Sequence, residues 1–85
     1  MIKCIIADSI KRVTKGFAEK IELDRVCPGL FEQVCKDNNW EFKLSDYGYN
    51  GWEVDWWAEI VTDSNTITIE GCMYYGTAKL TLSNG

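Results

Sequence analysis

Hydrophobic and polar residues alternate along the second half of the chain, which is the pattern of β-strands buried on one side only. Between residues 52 and 61, one face carries Trp52, Val54, Trp56, Ala58 and Ile60, and the other carries Glu53, Asp55, Trp57, Glu59 and Val61. The same period of two recurs in residues 40–45, 67–70 and 78–82. The pattern predicts an antiparallel β-sheet meander over residues 40–82. Its predicted core-facing tryptophans are Trp40, Trp52 and Trp56.

Short turns join the strands of this predicted meander. Two-residue turns at Ser64-Asn65 and Tyr75-Gly76 keep one face of the sheet apolar, so the two registers support each other. The first register places Glu59 opposite Glu70, and like charges that face each other destabilise a sheet. Local conflicts of this kind are found at functional sites.

The Asn50-Gly51 dipeptide is a strong hairpin signal, but a tight turn there conflicts with the preceding pattern. Such a turn would direct the hydrophobic side chains of residues 40–44 away from the core. We therefore predict a β-bulge at Gly48 or a longer loop over residues 46–51. The side chains expected to protrude there are Tyr47 and Tyr49.

One helix is predicted from Pro28 to about residue 38. Pro28 suits the first turn of a helix, where the N–H that proline lacks would have no partner. Hydrophobic side chains then form one helical stripe, made of Leu30, Phe31, Val34 and Cys35. The Asp-Asn-Asn run at residues 37–39 favours the end of the helix, because these side chains compete for backbone hydrogen bonds.

The segment from residue 2 to residue 24 has two interpretations. A β-hairpin turning at Lys15-Gly16 places alternate hydrophobic residues on one side. The alternative is a strand followed by a helix over residues 9–24. In that helix the basic residues crowd the N-terminus against the helix dipole, and Gly16 costs about 1 kcal/mol. The hairpin is favoured, so the chain is predicted to be one α+β domain, residues 1–85, with the meander packed on one helix.

Charge is distributed unevenly along the chain. Residues 1–43 contain eight Lys/Arg and seven Asp/Glu, whereas residues 44–85 contain one Lys and six Asp/Glu. Residues 1–43 therefore carry +1 and residues 44–85 carry -5, so the acidity behind the net charge of -4 belongs to the C-terminal half. Such a surface repels nucleic acid and anionic membranes and attracts basic protein surfaces. The chain has no signal-peptide pattern and no long apolar run, so we expect a cytoplasmic protein without membrane or direct nucleic-acid partners.

Several features indicate that the protein is not an enzyme. It has no His, the usual proton shuttle at neutral pH, and no phosphate-binding, dinucleotide-binding or metalloprotease motif. The four cysteines form no CxxC pair, so we expect reduced thiols and no zinc site. Glu53 and Asp55 would be about 7 Å apart, which resembles a pair of glycosidase acids only superficially. We predict no catalytic residue, no cofactor and no metal.

The polar face of the predicted sheet is suited to recognising a basic partner. Carboxylates at alternate strand positions form a row of negative charge, and an aromatic ring within the row can become a buried anchor on binding. The alternative is a solvated acidic face without a binding role. The predicted partner-binding residues are Tyr47, Tyr49, Glu53, Asp55, Trp57, Glu59 and Glu70.

In its size, acidity and lack of catalytic motifs, the chain resembles the small inhibitors that phages and mobile elements encode, anti-CRISPR proteins among them. This resemblance is one of type, covers no motif and assigns no residue. It implies an inhibitor that occupies a basic surface of its target, such as the nucleic-acid groove of a binding protein. Two alternatives remain: an aromatic-lined module for a small ligand or carbohydrate, and a structural subunit that forms a homo-oligomer through its strand edges.

Overall fold

The structure, a computed structural model, describes residues 1–83 of the chain, the side chain of residue 50 excepted. Its helices are α1 (Ile2–Thr14) and α2 (Pro28–Asp37). Its strands are β1 (Lys20–Leu23), β2 (Glu41–Asn50), β3 (Glu53–Val61), β4 (Thr66–Cys72) and β5 (Thr77–Leu82). The strands form one antiparallel sheet in the order β1-β5-β4-β3-β2, and both helices contribute to the core on one face of it. The predicted α+β class, the meander and the helix that starts at Pro28 are confirmed.

The N-terminal segment is a helix followed by a strand, so the predicted hairpin over residues 2–24 is wrong. α1 begins earlier than the helix considered as the alternative. Its buried hydrophobic side chains, Ile6, Ile10 and Val13, lie on one helical stripe. Lys11 and Arg12 fall in its last turn, where the helix dipole favours positive charge. The charge order that counts against a helix over residues 9–24 therefore favours one that ends at residue 14.

Gly16 ends α1 and does not interrupt a helix. Its φ of 79° lies in the left-handed region, which glycine adopts without a steric penalty. The amide of Phe17 donates to the carbonyl of Arg12 at 2.9 Å, and the amide of Gly16 donates to the carbonyl of Val13 at 3.1 Å. These two bonds form a Schellman motif, which satisfies carbonyl groups at the end of the helix.

The β2–β3 hairpin resolves the predicted conflict through a shifted turn and a bulge. The turn consists of Gly51, with φ of 66°, and Trp52. The register shifts at Ser45, which is the extra residue of a β-bulge. The bulge is therefore confirmed, but its predicted position at Gly48 is wrong, and residues 46–50 are strand instead of loop. Because of the extra residue, the hydrophobic side chains before the bulge remain on the helix side.

The loops that follow β3 and β4 are longer than predicted. They span residues 62–65 and 73–76 where two-residue turns were expected, so each register is displaced by two residues. A displacement of two keeps every side chain on its predicted face, because side chains alternate with a period of two. The predicted opposition of two glutamates is wrong, since Glu59 faces Thr68 and Glu70 faces Trp57.

The core lies between the helices and the sheet and contains Trp56 at full burial. Trp56 packs against Phe31 of α2, with ring centroids 5.7 Å apart. Trp40 is half-buried against the same core. The prediction that Trp52 is a core residue is wrong: it occupies the β2–β3 turn and is 79% exposed. Neither helix of residues 1–83 has the length and hydropathy needed to cross a membrane.

Candidate functional site

The face of the sheet opposite the helices, referred to below as the outer face, carries an open groove across β1, β5, β4 and β3. Its volume is about 380 Å³. The side chains with polar or aromatic groups that line it are Glu22, Asp24, Asp55, Trp57, Glu70, Cys72, Thr77 and Lys79. Alternation along the strands directs these side chains of β3, β4 and β5 to one side, and β1 adds its own through pairing with β5.

The groove is acidic. Its carboxylates come from Glu22, Asp24, Asp55 and Glu70, and its one ammonium group belongs to Lys79. Among these carboxylates, and within residues 1–83, only Glu22 forms an ion pair, with Lys20 at 3.9 Å. Lys79 lies between Glu22 and Glu70 in the strand register but is within ion-pair distance of neither. The groove therefore has an excess of negative charge that attracts a cationic ligand.

Trp57 lines the groove and is held in place from two sides. Its indole N–H donates to Oε1 of Glu70, its cross-strand neighbour, at 3.3 Å. Its ring lies over Gly48 of β2, where a Cβ atom would come within 3.0 Å of the ring carbons Cη2 and Cζ3. Gly48 therefore leaves room for the indole ring. This explains a glycine that lies away from the bulge and has no positive φ.

A second group of side chains lies at the end of the sheet formed by the β2–β3 turn and the β4–β5 loop. The rings of Trp52 and Tyr74 are stacked, with centroids 6.3 Å apart and an interplanar angle of 27°. Tyr75 meets Tyr74 edge-on at a centroid distance of 4.9 Å. All three rings are more than half exposed. Trp52, Tyr74 and Tyr75 are referred to below as the aromatic cluster.

Glu53 connects the aromatic cluster to the groove. The hydroxyl of Tyr75 donates to Oε1 of Glu53 at 3.1 Å. This hydrogen bond and the negative charge of Glu53 raise the pKa of the Tyr75 phenol, because both favour its protonated form. Ligand atoms of Glu53, Asp55 and Cys72 lie within 4.8 Å of one another, and the last two residues line the groove. The acidic surface is therefore continuous from the groove to the aromatic cluster.

Within residues 1–83, the same three residues, Glu53, Asp55 and Cys72, are a set that could hold a metal ion. A thiol with two carboxylates suits Zn²⁺ better than Mg²⁺, which prefers oxygen donors. The three residues are half-buried, and the Tyr75 hydroxyl already donates to one oxygen of Glu53. The sequence did not point to this set, because only the sheet register brings Cys72 opposite Asp55.

The buried cysteine is unsuited to nucleophilic chemistry. Cys35 lies on the buried face of α2 and is 1% exposed. Burial raises the pKa of its thiol to about 12, because the thiolate is poorly solvated there. Cys35 is therefore a protonated thiol at neutral pH, and its contribution is to packing.

Four of the seven predicted partner-binding residues lie together in the structure. Asp55, Trp57 and Glu70 line the groove, and Glu53 adjoins it. Glu59 is on the outer face but outside the groove, opposite Lys43 of β2. The ammonium group of Lys43 is paired with Glu41 at 3.7 Å and forms no ion pair with Glu59.

The remaining two predicted residues, Tyr47 and Tyr49, lie on the other face of the sheet from the acidic row. They face Trp56 and Val54 in the β2–β3 register, on the helix side. Both are exposed, at 43% and 80%, because they lie beyond the part of the sheet that the helices cover. The structure therefore separates these tyrosines from the groove.

Sequence patterns missed two parts of the site. Glu22 and Asp24 reach the groove because β1 pairs with β5. These two strands are far apart in the sequence, so no local pattern predicts their pairing. The aromatic cluster was missed because Trp52 fits the alternation of a core residue. A local signal for it does exist, since two adjacent tyrosines precede Gly76 in a turn.

Comparison of the chain with protein-family models, curated proteins and solved structures finds no match. Its function therefore has to be inferred from the site itself.

Proposed function

We propose that this protein is a non-enzymatic binding module that takes a basic segment of a protein partner into the acidic groove. The main support is that Asp24, Asp55 and Glu70 surround one groove without ion-pair partners among residues 1–83. Unpaired carboxylates accelerate association with a basic partner and can pair with its Lys or Arg side chains. The ring of Trp57 adds apolar contact area that carboxylates cannot provide.

The partner proposed here is a protein that itself binds nucleic acid. Such proteins present Arg and Lys side chains to phosphate groups. Carboxylates displayed at regular intervals on a rigid sheet can compete for the same side chains. This role would make the chain an inhibitor of the type that phages and mobile elements encode.

The test is calorimetric titration of the whole protein with oligo-arginine, using two variants that differ from it by the same net charge. The groove variant is Asp24→Asn, Asp55→Asn and Glu70→Gln. The control variant is Asp8→Asn, Glu19→Gln and Asp37→Asn, at exposed positions outside the groove. Both variants must unfold like the unmodified protein for the comparison to hold.

We expect the groove variant to bind at least about 10-fold more weakly, and the control to bind within about 2-fold of the unmodified protein. Affinity should also fall as salt is added, because exposed charges are screened. Equal losses in the two variants would remove the groove as the binding site. A protein that does not bind oligo-arginine at low salt would contradict the proposed function.

A homo-oligomer is the second candidate, because the outer edge of β2 has no strand partner within residues 1–83. The bulge at Ser45 interrupts this edge and works against strand addition. Light scattering over a range of protein concentrations tests it: a constant monomer mass excludes this candidate.

A further inference from the structure

We infer that the aromatic cluster and Glu53 form a subsite for an arginine side chain. The groove and this subsite would then hold one extended partner segment that carries two cationic residues. The inference rests on the proposed function, since it says where a second cationic residue of the same partner segment binds.

The aromatic cluster has the form of a binding surface. Trp52 and Tyr74 stack on each other, and Tyr75 meets Tyr74 edge-on, so the rings restrict one another while remaining exposed. Rings ordered before binding lose less conformational entropy when a partner arrives. The cluster also adjoins the groove through Glu53, which accepts the hydrogen bond from Tyr75.

The negative charge around this subsite favours a cationic ligand. From residue 44 to residue 78 the chain contains no Lys or Arg but six Asp/Glu. Arg25 lies beside Gly76 of the same loop, but among residues 1–83 its guanidinium forms neither an ion pair nor a cation–π contact with the rings. The charged group in contact with the aromatic cluster is the carboxylate of Glu53, which accepts a hydrogen bond from the Tyr75 hydroxyl.

The combination of rings and carboxylate favours arginine over lysine. A guanidinium group is planar, so it can stack on an aromatic face while its N–H groups donate to a carboxylate. Only Oε1 of Glu53 accepts from Tyr75, which leaves Oε2 for a ligand. An ammonium group is attracted by the same charge, but it is a compact, strongly hydrated ion without a flat face.

The spacing of the two sites defines the form of the partner segment. Glu53 and Trp57 lie on the same face of β3, four residues apart, which corresponds to about 13 Å along a strand. An extended segment places residues i and i+4 on one side at this same separation. Residues i and i+3 point to opposite sides, so a segment with that spacing cannot fill both sites while extended.

The test is calorimetric titration of the whole protein with three peptides of equal length and charge in a Ser/Thr background. The first has arginines at i and i+4, the second has arginines at i and i+3, and the third has lysines at i and i+4. We expect the first peptide to bind about 5-fold more tightly than either of the others.

A pair of variants separates the subsite from a general effect of exposed rings. Trp52→Ser with Tyr74→Ser should remove the preference for the first peptide. Phe17→Ser removes an exposed ring near the C-terminal end of α1, an end that contacts Asn65 of the β3–β4 loop, away from the cluster. This control should keep the preference unchanged.

Each contrary result has a distinct meaning. If the three peptides bind equally, or if the aromatic variant keeps the preference, the subsite is overturned while the groove stands. If Glu22→Gln with Glu70→Gln leaves all three affinities unchanged, the proposed function falls as well. If a neutral oligosaccharide competes with the first peptide in a salt-insensitive manner, the cluster is a carbohydrate site and the inference is overturned.

Discussion

Gly71 of β4 lies directly opposite Trp56 of β3, and the indole ring occupies the space that a side chain at residue 71 would need. A Cβ atom on Gly71 would overlap the Cε2, Nε1 and Cζ2 atoms of the ring. Trp56 is fully buried, so the ring has little freedom to move away. The largest side chain of the core therefore depends on a glycine in the neighbouring strand.

Gly71→Ala is expected to lower the free energy of unfolding by about 3 kcal/mol, because it overpacks the core against an immobile ring. Chemical denaturation measures this loss. In a Trp56→Leu background the ring is absent, so the same substitution should cost much less. Gly29→Ala in α2 is the matched control, since its Cβ has no atom closer than 4.0 Å, and it should be neutral or stabilising. Equal costs of Gly71→Ala in both backgrounds would contradict the contact.

Deletion of Ser45 is expected to be tolerated better than deletion of Gly48. Removing Ser45 converts the bulge into a regular ladder and leaves every side chain on its present face, at a cost below about 1 kcal/mol. Removing Gly48 also allows a regular ladder, but it moves Asp46 opposite Trp56 and Tyr47 to the outer face. That deletion should cost at least about 1 kcal/mol more. Urea unfolding of the two deletion variants measures the loss in free energy of unfolding. A larger loss for the Ser45 deletion than for the Gly48 deletion would show that the bulge is not at Ser45.

Stability is expected to decline as pH rises from about 9 to about 12 because of Cys35. Burial raises the pKa of this thiol from 9.0 to about 12. Above pH 9 the unfolded chain releases the thiol proton while the folded protein retains it, so the slope of stability against pH is negative in this window. Below pH 9 both states hold the proton and the full contribution is present. The measurement is urea unfolding at several pH values, and a Cys35→Ala variant with an unchanged slope would contradict the assignment.

The phenol of Tyr75 is expected to ionise above its ordinary pKa of 10.0 because it donates to the Glu53 carboxylate. Glu53→Gln removes the negative charge and weakens the hydrogen bond, so the pKa should move back toward the ordinary value. An NMR titration of the tyrosine ring carbons reports each phenol separately. A Tyr75 pKa that does not respond to this substitution would show that the contact is absent in solution.

Strand faces could be predicted from the sequence because each strand carries its own local period of two. The loops are longer than predicted, but the prediction of which side chains lie on the outer face still holds. A register shift of two residues keeps Asp55, Trp57 and Glu70 on one side. The register conflict at a tight Asn50-Gly51 turn likewise predicts a bulge in β2, but it does not fix the position of that bulge. Its position depends on where the turn falls, and Gly51-Trp52 was a less obvious turn than Asn50-Gly51.

The rest of the site depends on long-range contacts that leave no local pattern. β1 lines the groove only because it pairs with β5, and it follows a helix where the sequence pattern favours the first strand of a hairpin. The hydrophobic spacing of residues 6, 10 and 13 fits a helix, but the isoleucines before Asp8 also suit a strand. For Trp52 the local pattern is misleading. Its position continues the alternation of β3 and so predicts a core residue, but Trp52 lies in the turn before β3.

The most direct test of the acidic groove is an NMR titration of the whole protein with oligo-arginine, following backbone amides and indole N–H groups. We predict that the signals that shift first are the amides of residues 22, 24, 55 and 70 and the indole N–H of Trp57. The indole N–H of Trp56 lies in the core and should not move. Shifts confined to acidic residues outside the groove, such as Asp8, Glu19 and Asp37, or spread evenly over all carboxylates, would contradict the account.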